Sequence, residues 1–188
     1  MNKQPERTAA TRNTFIETFI ELNQQKPVEK ITISELAAKS GYNRSTFYQY
    51  FDDTYDLLAC IEDDFIQYVK DTIVSQIGMK KTESHFIESF LHIYAEKRTL
   101  LKILLSGSNH NNFAAKLQET LIPAFAAQMN LSAGDEKAEF LLDFYLSGII
   151  GVLSRWVLSE NPMAPEEYGR LMRQIVEGMG KSELFPVL

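Results

Sequence analysis

The chain has 188 residues, of which 45% are hydrophobic, and a formal net charge of −6 at pH 7, so it can bury one sizeable core or two small ones without cross-links. Its single cysteine, Cys60, excludes an intrachain disulfide, and the apolar residues around it indicate a buried thiol in a reducing compartment. The N-terminus lacks the apolar core of a signal peptide and no apolar run approaches the roughly 18 residues of a membrane span, so we expect a cytoplasmic protein without a membrane partner.

The charge is unevenly distributed along the chain. Residues 1–50 carry seven basic and five acidic side chains, a net charge of +2, and the remaining 138 residues therefore carry −8. A weakly basic segment on an acidic body suits a DNA-binding region that avoids loose adhesion to polyanions, although chance scatter would give the same numbers.

The first predicted element is an amphipathic helix from about residue 6 to residue 24, in which apolar residues between Phe15 and Leu22 recur at three-to-four spacing. We expect its apolar face to pack on the two short helices that follow. A loop containing Pro27 then leads to Ile31.

Residues 31–51, ITISELAAKSGYNRSTFYQYF, contain two short helix signals. Thr32 and Glu35 form a capping box at the first, and Asn43 is suited to cap the second. Between them, Gly41 can adopt the positive φ that ends a helix and turns the chain. This is the layout of a helix-turn-helix, although two short helices around a glycine also occur in cores that never contact DNA.

The second short helix is expected to bury Phe47 and Phe51. Its exposed side chains are of types suited to phosphate oxygens and base edges. They are Arg44, Ser45, Tyr48 and Gln49.

After residue 51 the pattern is helical throughout, without a strand signal. A long connector helix is predicted at about 54–76, and five further helices follow at about 82–96, 97–106, 110–129, 135–159 and 165–180. Pro123 lies inside the third of these five, where it is expected to kink or split the helix.

Two interpretations apply to the apolar helix at 135–159. It is either a tightly packed internal helix or, together with the helix at 165–180, half of a four-helix contact with a two-fold related copy. The residues expected at such a subunit interface are Gly148, Gly151, Val152, Arg155, Tyr168, Leu171, Met172 and Ile175.

Aromatic side chains of the C-terminal part are candidates to line a cavity for a small, partly hydrophobic effector, although each taken singly is more often a core residue. They are Phe86, Phe90, Tyr94, Phe113, Phe125, Phe144 and Tyr145. The histidines lack partners at metal-ligand spacing and no catalytic motif is present, so the sequence predicts no metal, no cofactor and no enzymatic activity.

The residues GYNRSTFYQYF followed by FDDTYDLL resemble the recognition-helix signature of the TetR family of transcriptional regulators. The resemblance covers about residues 10–60, and the nine helices predicted from the sequence agree with that family's three small helices plus a six-helix body. It implies an all-α chain in which residues 1–51 form a helix-turn-helix DNA-binding domain and residues 52–188 form a dimerisation and effector-binding domain.

The resemblance also implies which residues would face DNA. These are Thr32, Ser34, Tyr42, Asn43, Arg44, Ser45, Thr46, Tyr48 and Gln49. The sequence departs from the family pattern at Thr54, where the family usually has a lysine that meets a phosphate. The Thr54 hydroxyl is expected to take that place, beside Asp52, Asp53 and Asp56, whose negative charge would weaken the affinity for DNA.

By this resemblance the protein is a repressor that binds a palindromic double-stranded operator as a homodimer, and is released or modulated when a small effector shifts the connector helix. One alternative is a regulator or activator that responds to a protein partner in place of a small ligand. Another is a helical ligand-binding protein whose helix-turn-helix is incidental.

Overall fold

A computed structural model describes residues 5–77, 83–106, 110–128 and 135–180, and the regular structure within these ranges is entirely helical, as predicted. The chain divides into two compact units, unit 1 ending at Phe65 and unit 2 beginning at Ile66. The division therefore falls inside a helix, about three turns after its start.

Unit 1 contains α1 (Pro5–Asn23), a short 3-10 helix (Val28–Lys30), α2 (Ile33–Ser40), α3 (Arg44–Phe47) and the first part of α4 (Thr54–Ile77). These bounds agree with the predicted first helix, the two short helices and the connector. The 3-10 helix lies where the sequence predicted a plain loop.

Phe15 on α1 is the centre of the unit 1 core and has no exposed surface. Its ring centroid lies 5.4 Å from both Tyr42 and Phe47, and 6.4 Å from both Tyr50 and Phe51. The predicted packing of the α1 apolar face on the short helices is thus observed, and it depends on one ring that contacts four aromatic residues at and around α3.

Unit 2 continues α4 and adds α5 (Glu83–Leu105), α6 (His110–Gln128), α7 (Glu136–Leu158) and α8 (Pro165–Gly180). The sequence predicted two helices where α5 lies, and the structure has one helix with a kink at Lys97 (φ −121°, ψ 21°), at the predicted joint. α6 continues through Pro123 and is not split. The C-terminal residues 181–188 lie outside the described residues.

An aromatic cluster joins α5, α7 and α8 in the interior of unit 2. The rings of Trp156 and Tyr168 are stacked, with centroids 4.1 Å apart and planes 12° apart, and Tyr94 lies 4.1 Å from Trp156. The indole N–H of Trp156 donates a hydrogen bond to the carbonyl oxygen of Met163 at 2.8 Å. Burial raises the pKa of the Tyr168 phenol well above its ordinary value.

Within unit 2, the second half of α4 is attached to α5 at the kink. The Tyr68 hydroxyl donates to Oε2 of Glu96 at 2.8 Å, and Nζ of Lys97 lies 5.5 Å from the Tyr68 ring centroid. This hydrogen bond and cation–π contact both involve residues at the irregular position of α5. A change in the kink would therefore disturb Tyr68 directly.

In contrast to the expectation from the sequence, one helix in the described ranges, α7, is long and apolar enough to cross a membrane by length and composition: it has 23 residues, and an 18-residue stretch of it has a mean hydropathy of 1.5. It also buries eight side chains, among them Leu146, Ile150 and Trp156. Core helices of soluble proteins pass the same test of length and composition. The burial of these side chains shows that one face of α7 packs in the core of unit 2.

The aromatic core of unit 1 predicts a large stability loss for Phe47→Ala. Phe47 has no exposed surface, so the substitution should lower the free energy of unfolding by about 3 to 5 kcal/mol through lost transfer energy and a residual cavity. Denaturant unfolding followed by circular dichroism would measure this. The adjacent Tyr48→Ala is the control, because Tyr48 is 51% exposed, and a larger loss for Tyr48 than for Phe47 would contradict the assignment of faces.

Candidate nucleic-acid interface

The turn between α2 and α3 is fixed by hydrogen bonds at Gly41. This residue has φ 75° and ψ 13°, in the left-handed region that favours glycine. Its N–H donates to the carbonyl of Ala38 at 3.4 Å, and the N–H of Tyr42 donates to that of Ala37 at 3.0 Å. This is a Schellman motif, and it satisfies two carbonyls at the end of α2 while directing the chain into α3.

The start of α2 has the predicted capping box. Oγ1 of Thr32 accepts the N–H of Glu35 at 3.2 Å. The Glu35 carboxylate pairs with the Lys26 ammonium, and this contact is the main cause that holds the pKa of Glu35 below its ordinary value, against some desolvation and with help from the backbone N–H of Thr32. α2 is therefore fixed at both ends before any ligand is present.

Asn43 caps α3 with its side-chain oxygen. Oδ1 accepts the Thr46 N–H at 2.8 Å, the Ser45 hydroxyl at 2.7 Å and the Thr46 hydroxyl at 2.8 Å. α3 is regular for only four residues, after which turn hydrogen bonds continue to Phe51, whose N–H donates to the Phe47 carbonyl at 3.1 Å. The recognition segment is thus a short helix extended by a turn.

Nearly all of the predicted DNA-facing side chains lie on the surface of unit 1. Tyr48 is 51% exposed and Tyr42 is 38% exposed. Thr32, Ser34, Asn43, Arg44, Ser45 and Gln49 are also exposed, and Thr46 is half-buried.

Tyr42 is held in place by contacts on two sides. Its ring packs against Phe15, and its hydroxyl oxygen accepts a hydrogen bond from the Thr11 hydroxyl at 3.3 Å. A phenol hydroxyl can both donate and accept hydrogen bonds. Tyr42 therefore presents a hydroxyl at the surface on a ring that is held by packing.

Thr54 requires a correction. It is only 8% exposed, so its side chain packs inside unit 1 and is not displayed for the phosphate contact expected from the sequence. The nearby aspartates cap α4, because Oδ1 of Asp53 accepts the N–H groups of Tyr55 and Asp56 at 2.8 Å each, and Oδ2 of Asp56 accepts the Asp52 N–H at 2.9 Å. Their charge stabilises the start of α4.

Tyr55 is an exposed residue that the sequence reasoning missed. Among the described residues of unit 1, the exposed large side chains with apolar surface are three tyrosines, Tyr42, Tyr48 and Tyr55, the last with 49% exposure. Tyr55 falls outside the buried stripe of α4 that includes Leu58 and Ile61. That break in the helical period was the signal that could have identified it.

Several basic residues of unit 1 are committed to ion pairs. Nη2 of Arg12 lies 2.8 Å from Oδ2 of Asp64, Nζ of Lys39 lies 3.1 Å from Oε2 of Glu21, and Lys26 pairs with Glu35. Arg44 is exposed and forms no ion pair with the residues that the structure describes. The guanidinium on α3 is therefore available to a phosphate or a base edge.

The predicted subunit-interface residues fall into two groups. Gly148, Gly151, Val152 and Arg155 on α7, and Leu171 and Ile175 on α8, are exposed. Tyr168 and Met172 are each 3% exposed and belong to the interior of unit 2, so their assignment to a surface interface is corrected: they lie on the flank of α8 that packs inside the unit.

The glycines of α7 are not required for packing within the chain. A Cβ built on Gly148 or Gly151 meets no atom within 4 Å, whereas one built on Gly169 of α8 lies 2.6 Å from Cδ1 of Leu91 on α5. Gly169 thus permits the close approach of two helices inside unit 2. The internal-packing interpretation of Gly148 and Gly151 fails, since both face open space.

The predicted effector-lining residues differ in burial. Tyr94, Phe113, Phe125 and Tyr145 are buried and Phe90 is half-buried. Phe144 is 65% exposed and does not line the interior of unit 2, because it lies one turn from the exposed Phe140 and Gly148 on α7. The side chain of Phe86 lies outside the described part of the chain.

Two family models match the chain. One, described as bacterial regulatory proteins of the tetR family, matches residues 15–61. The other, described as a transcriptional regulator C-terminal region, matches residues 81–178, more than half of the chain. No curated protein sequence matches the chain significantly.

Solved structures with the same fold cover nearly the whole chain. A fatty acid degradation regulator, FadR from Bacillus halodurans, is 14% identical with a TM-score of 0.70, covering 97% of this chain and 100% of that one. A TetR transcriptional regulator from Streptococcus agalactiae 2603V is 21% identical with a TM-score of 0.67, covering 91% and 96%. The dihydroxyacetone kinase operon activator DhaS is 15% identical with a TM-score of 0.64, covering 90% and 95%.

Proposed function

The chain belongs to the TetR family of bacterial regulatory proteins, and we propose that it is a dimeric repressor in which unit 1 of each subunit binds one half of a palindromic operator. Family membership makes it a transcriptional regulator and not an enzyme. A regulator of this class acts where the DNA is, so we assign it to the cytoplasm.

One observation carries the DNA-binding part of this proposal: the family model at residues 15–61 coincides with a helix-turn-helix whose backbone is fixed by caps and whose outer side chains are exposed. Arg44 offers a planar cation, and Tyr42 and Tyr48 offer hydroxyls on rings held by aromatic neighbours. The two tyrosine rings, which are held in place before binding, lose little rotamer freedom on contact with a ligand. Such a surface suits contacts with phosphates and base edges.

We predict that Arg44→Ala and Tyr48→Ala weaken specific DNA binding without loss of helix content or dimerisation. The binding assay uses duplex DNA from the region upstream of the protein's own gene and an unrelated duplex, at several salt concentrations. Arg44→Ala should flatten the dependence of log K on log salt by about 0.9 for each phosphate that the protein no longer neutralises. Tyr48→Ala should cost about 1 to 3 kcal/mol on the specific duplex.

Lys102→Ala is the matched charge control, because Lys102 is an exposed lysine on α5 of unit 2, away from the proposed interface. Its affinity for both duplexes should equal that of the parent protein. Equal and weak binding of the parent protein to both duplexes at every salt concentration would contradict operator recognition by unit 1.

The dimer part of the proposal rests on the distribution of exposed apolar side chains in unit 2. Phe140 and Phe144 are 68% and 65% exposed on α7, and Leu171 and Ile175 are 39% and 41% exposed on α8. Among the described residues of this unit, the large exposed apolar side chains all lie on α7, α8 or the segment between them. Large apolar side chains exposed in this number on two neighbouring helices of the sequence are typical of an interaction surface.

A second copy of the chain is the occupant that this α7–α8 face fits best. The open space above Gly148 and Gly151 would admit a partner helix at close range. One short recognition helix also reads too few base pairs for specificity, and pairing two of them on a palindrome increases the effective concentration of the second. Two-fold association through α7 and α8 would cover the exposed apolar side chains and would also pair two recognition helices.

We predict that Ile175→Glu converts the dimer to a monomer, because it would place an unpaired charge in an apolar interface. Sedimentation equilibrium measures the mass, and circular dichroism should show unchanged helix content since Ile175 is 41% exposed. Arg170→Gln changes the charge by the same amount on the polar flank of α8 and should remain dimeric. A parent dimer whose mass is unaffected by Ile175→Glu would exclude this face as the interface.

We further propose that unit 2 accepts a small, partly hydrophobic effector that shifts the population of two conformations. The contact of Tyr68 with Glu96 and Lys97 attaches α4 to the kinked helix α5, and α4 is a continuous helix whose first part belongs to unit 1. A ligand that favours one arrangement of α5 would thus bias α4. Coupling of about 1 to 3 kcal/mol would change operator affinity by roughly 5- to 150-fold.

A second candidate is a regulator or activator controlled by a protein partner in place of a small ligand; one structural neighbour is an operon activator. Thermal-shift measurements distinguish the two. Because one structural neighbour is a fatty acid degradation regulator, the compound set should include fatty acids beside other partly hydrophobic molecules, and we expect a member to raise the melting temperature and weaken operator binding. Stabilisation by a co-purifying protein, with no effect of any small molecule, would favour the second candidate.

A further inference from the structure

Three hydrogen-bond donors converge on one atom at the start of α3. Oδ1 of Asn43 lies 2.8 Å from the Thr46 backbone nitrogen, 2.7 Å from the Ser45 hydroxyl and 2.8 Å from the Thr46 hydroxyl. A backbone N–H can only donate, so the atom facing it must be the amide oxygen of Asn43 and not its nitrogen. The orientation of the Asn43 side chain is therefore determined.

The same geometry determines where the two hydroxyl hydrogens point. The amide oxygen can only accept, so a hydroxyl at 2.7 or 2.8 Å from it must donate. If either hydroxyl turned its hydrogen elsewhere, two oxygen atoms would face each other at that distance without a hydrogen between them. The hydrogens of Ser45 and Thr46 are thus directed towards Asn43.

Ser45 is exposed and Thr46 is half-buried, so Ser45 is the hydroxyl of this pair that is displayed to a ligand. With its hydrogen committed to Asn43, it offers only acceptor lone pairs outward. Phosphate oxygens in DNA are acceptors and have no hydrogen to give. A direct contact of Ser45 with a phosphate would require the Asn43 network to break.

We propose that Ser45 is a specificity-determining residue that accepts a hydrogen bond from an exocyclic amino group of a base, adenine N6 or cytosine N4, in the major groove. These amino groups are the base-edge donors available there. Beside this acceptor, the side-chain N–H groups of Asn43 can donate to DNA, because the amide nitrogen forms no hydrogen bond with the described residues. This inference rests on the proposed DNA-binding function and adds the polarity of one contact to it.

The first test compares base preference before and after removal of the hydroxyl. The full-length parent protein and Ser45→Ala are each used to select sequences from a randomised duplex pool. Ser45→Ala should relax the preference for adenine or cytosine roughly 3- to 10-fold at one position of each half-site, the value of one net hydrogen bond, and should leave binding to an unrelated duplex unchanged. Ser40→Ala is the matched control, because the Ser40 hydroxyl donates to the Ala37 carbonyl within α2.

The second test removes the amino group from the DNA. At the position identified by selection, adenine is replaced by purine or cytosine by 2-pyrimidinone, each of which lacks only the exocyclic amino group. The parent protein should lose affinity roughly 3- to 10-fold beyond the loss shown by Ser45→Ala. This double-mutant cycle cancels any weakening of the base pair itself, and the base at which coupling occurs distinguishes the two sources of the amino group.

The outcomes separate this inference from the function on which it rests. If the parent protein enriches no sequence, the proposed function fails and the inference fails with it. If the parent is specific but Ser45→Ala keeps the same preference, or shows no coupling to the amino group, only the inference is overturned. An equal loss by Ser45→Ala on every duplex, with an unchanged salt dependence because serine carries no charge, would identify Ser45 as a phosphate contact and overturn it as well. Thermal unfolding of each variant confirms that the compared proteins are folded.

Discussion

The contact on which the recognition surface most depends is the packing of Phe15 against the rings at and around α3. A helix of four residues has no independent stability in water, since nucleation of a helical turn is costly and few hydrogen bonds follow it. The orientation of α3 must therefore come from tertiary contacts. Phe15 has no exposed surface, and its ring meets Phe47 edge-on with a centroid distance of 5.4 Å. The position of every outward side chain on α3 therefore depends on this one ring of α1.

The parts of this chain that the sequence predicted correctly depend on residues a few positions apart. Thr32 and Asn43 cap the helices that follow them because a side-chain oxygen at that position can reach an N–H three residues on. Gly41 takes the positive φ because the turn requires it there. The bounds of α4, α7 and α8 followed from helical periodicity and proline placement, which are also local.

The predictions that needed correction concern which flank of a helix meets the rest of the protein. Periodicity identified an apolar α8 but could not separate Met172, which is buried, from Ile175, which is exposed, since both are apolar and one turn apart. Phe144 was assigned to the interior for the same reason. Thr54 failed differently: it was assigned to DNA because it stands where the family pattern has a lysine, whereas its side chain packs inwards and Asp53 and Asp56 accept backbone N–H groups around the start of α4.

The hydrogen-bonded turn between α2 and α3 has a thermodynamic consequence for the complex with DNA. The N–H groups of Gly41 and Tyr42 bond to α2, and that of Thr46 bonds to Asn43, so the backbone of the turn is already hydrogen-bonded in the protein without DNA. Ordering a residue costs about 1 to 2 kcal/mol in entropy, and here this loss occurs during folding. The heat-capacity change on binding DNA would then reflect buried surface and displaced water, without a contribution from ordering the turn.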